Sequence, residues 1–255
     1  MFKSAPYLAL VAVCLAPVAP ARDLAEIRRG GRLEVAGAAN DLPLENDLLG
    51  GFGRAIEAEL RITPFGSAAA ALQAVAEGRA DVAAGGLVSQ LDRREGVTFT
   101  AEVFPSRLVA VTRRPSKPIQ FLEQLRSLRM LAPPGSGAVE ALAAAKLPSS
   151  KVDGALPADK ALASLRGSPD AAVVIGLFGA LVARRSDPAL EVGTALGARQ
   201  SVAFAVRQAD ATLLSALNGH LGQLRVSPSW RLIIVRNLGE DSLQILARSR
   251  LDDSP

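Results

Sequence analysis

The order of elements between residues 33 and 84 constrains this chain more than any other feature, because apolar runs and helical segments alternate there without interruption. Leu33-Glu34-Val35-Ala36 alternates as a strand does. A loop through Asn40, Asp41 and Pro43 leads to a helix expected over 52–60 and a strand near 61–65. Ser67 then caps an alanine-rich helix closed by Gly78, and Asp81-Val82-Ala83-Ala84 runs as a buried strand into Gly85-Gly86. Strand, helix, strand, helix, strand calls for parallel strands, since each helix returns the chain to the end of the sheet it left. Ahead of this unit, Asp23 is expected to cap a short helix over 24–29 that Gly30-Gly31 ends.

The same grammar returns in the second half. A loop over 89–95 precedes an apolar strand over 108–112, and Arg113-Arg114-Pro115-Ser116-Lys117-Pro118 then breaks every periodicity, as a crossing between two lobes would. After it come a strand near 128–132, the turn Pro133-Pro134-Gly135-Ser136-Gly137, helices over 138–146 and 158–165, and a strand over 170–175. The halves rhyme: Asp81 stands three residues after Gly78, and Asp170 three after Gly167, each opening an apolar run. A further strand over 201–206 precedes a helix capped by Asp210 and striped by Leu213, Leu214, Leu217, Leu221 and Leu224. Ser227-Pro228 opens a last helix with Trp230, Ile233 and Ile234 facing inward, and the charged tail from Glu240 is expected to fray or lie on the surface. The reading is an α/β protein of two lobes, each a mixed, mainly parallel sheet flanked by helices. Lobe 1 is expected over 22–112 and 200–255, and lobe 2 over 113–199.

Residues 1–21 read as an export signal, with Lys3 ahead of an apolar stretch over 7–18 and an Ala19-Pro20-Ala21 ending. That stretch falls short of the roughly 20 apolar residues a spanning helix needs, and Pro17 interrupts it. Cleavage after Ala21 implies a soluble, monomeric periplasmic protein that is not inserted in the membrane. It also removes Cys14, the single cysteine, and the single His220 is expected on the solvated side of the leucine-striped helix. A disulfide framework and a Cys/His metal centre are thereby excluded, and no metal or cofactor is expected. The formal charge of +4 comes from 29 basic residues interspersed with 25 acidic ones, and aromatics make up 4%. A basic groove lined with stacking platforms is missing from such a composition, which argues against nucleic acid as a partner.

The segment Asp81-Val82-Ala83-Ala84-Gly85-Gly86-Leu87-Val88-Ser89-Gln90-Leu91-Asp92-Arg93, followed by Val97-Thr98-Phe99-Thr100, resembles the periplasmic solute-binding proteins of the polar amino-acid family, bacterial extracellular solute-binding protein family 3. Arg93 and Phe99 keep the family's spacing between the arginine of its turn and the Phe-Thr pair. Further matches are 33–43, Gly51-Phe52, Gly135-Ser136, Asp170-Ala171-Ala172-Val173-Val174, Val202-Ala203-Phe204-Ala205-Val206 and 213–239. The resemblance implies the two-lobed periplasmic-binding-protein fold of type II, with a small molecule held between lobes at loops following parallel strands. It further implies closure about a hinge, here near 113–118 and 196–200.

Departures from the family's pattern shape the expected ligand. The family's carboxylate for an α-ammonium, counted from Asp170, is replaced by Ile175; the serine that assists it is Val88; and the stacking aromatic before the loop proline is Asp41. Arg93 and Ser136, at positions that the resemblance assigns to a ligand carboxylate, are kept, and Gly137 completes the Gly-Ser-Gly turn. An amino-acid ammonium left unpaired in an apolar cleft would cost several kcal/mol. A small anionic or carboxylate solute is therefore expected, delivered to an ABC permease. The alternative is an accessory or sensory module of an exported enzyme system. Each candidate also has a plain reading: Arg93 as a surface charge beside Arg94, Ser136 as a tight turn, Asp41 as a loop cap. An enzyme is not expected, since Ser136 lacks the glycine two residues before it that a nucleophile elbow needs and no paired carboxylates stand out.

Overall fold

The structure, a computed structural model, describes residues 22–38 and 43–251; the expected export signal and Asp41 lie outside the described residues. Helix α1 (Leu24–Gly30) begins with a capping box between Asp23 and Glu26 and ends at Gly31 in the left-handed region, as its sequence calls for. Strand β1 (Arg32–Gly37) pairs parallel with both β2 (Glu59–Pro64) and β3 (Val82–Ala84). Between them run α2 (Pro43–Ala55) and α3 (Ala68–Ala76), the latter capped by the Ser67 hydroxyl, which accepts from the Ala70 amide. Helix α2 starts well before the expected residue 52, because Leu44, Leu48, Leu49 and Phe52 form one buried stripe at helical spacing. Two short strands complete the sheet: β4 (Val97–Phe99), not anticipated as a strand, and β10 (Ala205–Arg207), which lies antiparallel between β3 and β4.

The second sheet follows the same plan, with its two longest strands, β5 (Phe104–Arg113) and β9 (Leu190–Val202), side by side at one edge. Its order is β7 (Val152–Asp153), β6 (Arg129–Leu131), β8 (Ala171–Gly176), β5, β9. The first three are parallel, β5 is antiparallel to β8, and β9 is antiparallel to β5. Helices α4 (Ala138–Ala144), α5 (Ala158–Ser164) and α6 (Leu177–Ser186) connect them. The strand expected at 108–112 in the first lobe is thus part of β5 in the second sheet. The chain passes between sheets at 100–103 and 203–204, rather than at 113–118 and 196–200. The two passages are tied together: the Thr100 amide donates to the Phe204 carbonyl at 2.9 Å, and the Val103 amide to the Val202 carbonyl at 2.7 Å. Sequence reasoning missed α6 and most of β9, and ran β9 and β10 together as one strand.

Alternate residues of each sheet enter different cores. Val35, Val82, Val109, Val173 and Ile175 point into one shared apolar layer between the sheets, together with α2, α6 and the C-terminal helices. Ala36, Ala83 and Ala205 pack outward under α3, and Leu108, Ala110, Met130 and Val174 outward under α4. Strands buried on both faces read as unbroken apolar runs, which is why they were legible. Helix α7 (Ala211–Arg225) buries Leu213, Leu217 and Leu221. Its Asp210 does not cap it; the carboxylate instead accepts from Arg207 at 2.6 Å. Helix α8 (Pro228–Leu238) packs against both α2 and α6, and so bridges the two sheets. The expected frayed tail is helix α9 (Ser242–Leu251), which buries Ser242 and Leu246 against α8 and β5.

His220 is not solvated as expected. Its ring lies against Phe52 with centroids 5.6 Å apart, and its Nε2 is buried without a hydrogen-bond partner. Burial first, and the neighbouring Arg54 charge second, hold its pKa below the ordinary 6.5, against the opposing effect of a hydrogen bond to the Leu48 backbone.

Candidate functional site

A cavity of about 760 Å³ opens between the two sheets where their parallel strands end. The loop after β3 contributes Gly85 and Gly86, the end of β8 and the start of α6 contribute Gly176 and Phe178, and the turn after β6 contributes Pro133 to Ser136. The starts of α2, α3 and α5 supply Glu45, Ser67 and Ala158, and β9 supplies Gln200 and Val202. Both halves of the molecule therefore line one cavity, at the place where the family resemblance implies a ligand cleft.

Backbone conformation at the end of β3 fixes the cavity's near wall. Gly85 has φ 118°, and a Cβ there would stand 2.8 Å from that of Ala38, so no other residue fits without moving the chain. Beside it, Gly86 (φ 72°) leaves the space into which the Phe178 ring reaches from the second sheet; a Cβ would meet that ring at 3.1 Å. Phe178 is in turn held edge-on by the buried Phe104, with ring centroids 5.4 Å apart.

Two carboxylates line the cavity, and each braces the backbone. Glu45, 4% exposed, accepts from the Gly86 amide at 3.0 Å, tying α2 to the loop after β3. Asp92 accepts from the Val88 amide at 2.7 Å and so closes the 88–92 turn on itself. Burial pushes the Asp92 pKa above the ordinary carboxylate value, and the Val88 N–H opposes this without cancelling it. The turn is also fastened to β9: the Ser89 amide donates to the Ser201 carbonyl and the Ser201 amide to Gln90 Oε1, both at 3.0 Å. Among the described residues that line the cavity there is no lysine or arginine.

The residues singled out from sequence divide. Val88, Ser136 and Ile175 all line the cavity, so the two aliphatic residues at the departing positions are part of its wall. Gly137 lies just behind, in the left-handed region, within 3.8 Å of Leu91 as measured from its missing Cβ. Arg93 does not join them; its side chain is exposed and outside the cavity wall, while its neighbour Asp92 is the one that turns inward. The Ser136 hydroxyl is spent inside its own turn, donating to the Pro133 carbonyl at 2.6 Å and accepting from the Ala138 amide at 3.2 Å. Helix α4 that follows is only 7 residues long. Glu45, Phe178 and Ser106 escaped the sequence reading, and the start of β5, Phe104-Pro105-Ser106-Arg107, does not mark the serine out. No helix among the described residues is long and apolar enough to cross a membrane. Nor do three or more potential metal ligands cluster among them.

Comparison with known proteins agrees with this architecture. No curated protein sequence matches the chain. Among solved structures, an ancestral cationic amino acid solute binding protein superposes with a TM-score of 0.72 at 18% identity, covering 84% of this chain and 99% of that one. An ABC uptake transporter substrate binding protein from Streptococcus pneumoniae with bound histidine gives 0.68 at 17% identity, covering 86% and 96%. A mutant of ArgBP from T. maritima gives 0.65 at 22% identity, covering 85% and 99%. At these identities the likeness shows the fold, the two-lobed architecture of periplasmic binding proteins. The family model for bacterial extracellular solute-binding proteins, family 3, matches residues 44–240. That span takes in the whole second sheet, every strand of the first except β1, and the cavity wall from Leu44 to Leu238, and the chain belongs to the bacterial extracellular solute-binding proteins, family 3.

Proposed function

We propose that this protein captures a small solute in the interlobe cleft for uptake through an ABC-type permease, and that the solute is predominantly apolar with an uncharged or cationic polar group. The observation that carries the reading is the make-up of the cleft wall: Val88, Leu91, Ile175, Phe178 and Val202 line it beside two carboxylates, with no cationic side chain among the described residues. A free anion entering that wall would meet Glu45 and Asp92 without a countercharge, which costs more than the apolar contacts return. Solute-binding proteins of similar fold carry arginine or histidine, and that supports a ligand class without fixing it.

The carboxylate solute expected from Arg93 and Ser136 is the second reading, and the observation in its favour is that the Ser136 turn faces the cavity. Thermal-shift screening separates the two, with cationic amino acids and amines, uncharged amides and alcohols, and mono- and dicarboxylates as its arms. A solute at 100 times its dissociation constant adds about 2.7 kcal/mol to stability. Stabilisation confined to carboxylates would overturn the first reading and restore the second. Closure is proposed to pivot on the paired passages at 100–103 and 203–204, where the chain crosses between the sheets and backbone hydrogen bonds tie the two crossings together.

A further inference from the structure

The floor of the cleft contains a hydroxyl with nothing to bond. Ser106 is 2% exposed and lines the cavity, yet its Oγ has no hydrogen-bond partner. Leaving a buried hydroxyl unpaired is unfavourable, and a well-packed strand ordinarily avoids it. Two features of the backbone direct this side chain. The β5–β9 ladder is irregular between Ser106 and Leu108, and such an irregularity re-aims the side chain beside it. On the other side of β5, Gly176 ends β8 without a Cβ; one placed there would stand 3.5 Å from Ser106 Oγ, filling the space next to the hydroxyl.

The surroundings limit what can fill that bond. Ile175, Phe178, Val88 and Val202 line the same cavity as Gly176 and Ser106, so a full charge beside the hydroxyl would be stripped of water among apolar side chains. Glu45 and Asp92 each already accept a backbone N–H elsewhere on the wall. We propose that Ser106 is a specificity-determining residue whose hydroxyl receives an uncharged hydrogen-bonding group of the solute, an amide, carbonyl or alcohol. This inference rests on the cleft being the solute site. The floor thus selects a neutral polar group at the buried end of an apolar body, and any cationic group of the solute lies toward the carboxylates.

The test uses three probes with one ring and different heads: cyclohexanecarboxamide, cyclohexanecarboxylate and cyclohexylmethylamine. Each is titrated calorimetrically into the wild-type protein and into Ser106→Ala and Ser106→Thr. The amide is expected to bind wild type best, to lose roughly 3- to 10-fold in Ser106→Ala, and to recover in Ser106→Thr. The amine is expected to change less than the amide. Equal amide affinity in wild type and Ser106→Ala overturns the inference and leaves the cleft reading standing. Failure of all three probes to bind wild type overturns the cleft reading and the inference with it. The unliganded variants give an independent check. Ser106→Ala is expected to keep or raise the melting temperature, because it removes an unpaired hydroxyl. A fall of several degrees would make the hydroxyl structural and overturn the inference.

Discussion

The two sheets share a strand plan and differ in what they pack with. In each, three parallel strands are followed by an antiparallel one and then by a fifth that runs with the first three. The outer face of the first sheet is alanine, with Ala36, Ala83 and Ala205 lying under Ala71, Ala74 and Val75 of α3. The outer face of the second carries Leu108, Met130, Val174 and Leu196 under Leu142. Small residues on both surfaces permit a close approach of α3, whereas the second sheet packs larger side chains under α4. One plan therefore tolerates two packing solutions, and each should fail in its own way.

The largest expected effect is a cavity in the second sheet. Met130→Ala should cost about 2–5 kcal/mol, read from urea denaturation. Overfilling the first sheet comes next: Ala83→Leu has no room beneath α3 and should cost about 1–3 kcal/mol. If Ala83→Leu were neutral, the close approach of α3 would not be what distinguishes the sheets.

The rhyming aspartates sharpen the comparison. Asp81 is 5% exposed, accepts from the Glu34 amide at 2.8 Å and pairs with Arg22, while Asp170 is exposed. Burial pushes the Asp81 pKa up, and the Glu34 amide and Arg22 only partly oppose that. Asp81→Ala leaves an amide unpaired and should cost about 1.5–3 kcal/mol, whereas Asp170→Ala should stay within about 0.5 kcal/mol. Equal costs would mean that the repeat is structural in both halves.

The smallest effect is a pH dependence confined to the first lobe. The folded pKa of His220 is lowered from 6.5. The unfolded chain therefore takes up a proton that the folded one resists. Its contribution to stability is complete above the unfolded value and is lost as pH falls from there toward the folded pKa. Stability measured by denaturation across that window should decline in wild type and flatten in His220→Gln. A flat wild-type profile would place His220 in water after all.

What the sequence revealed follows from how each feature is encoded. Buried strands such as β3 and β8 are continuous apolar runs bounded by glycine, and the Ser67 and Asp23 caps are local hydrogen bonds, so both could be read directly. The passages between sheets could not, because 100–103 and 203–204 carry no glycine or proline, while the conspicuous prolines at 115 and 118 lie beyond the end of β5 within one lobe. Val88 and Ile175, which line the cavity, could be singled out because a family position names them. Arg93 stands exposed outside the cavity wall, and a spacing along the chain says nothing of which way an exposed side chain turns. Ser106 depends on an irregular ladder and on a glycine 70 positions away, and neither has a local signature.

The central claim is that the cleft between the sheets holds the solute, and filling it tests this most directly. Val88 lines the cavity and is only partly buried, so Val88→Trp should fold while its indole occupies the ligand space. Calorimetric titration with the solute that stabilises wild type most is expected to show affinity reduced by about 100-fold or more, corresponding to about 2.7 kcal/mol, with the unliganded melting temperature little changed. Undiminished affinity in a folded Val88→Trp protein would place the solute elsewhere and contradict the account.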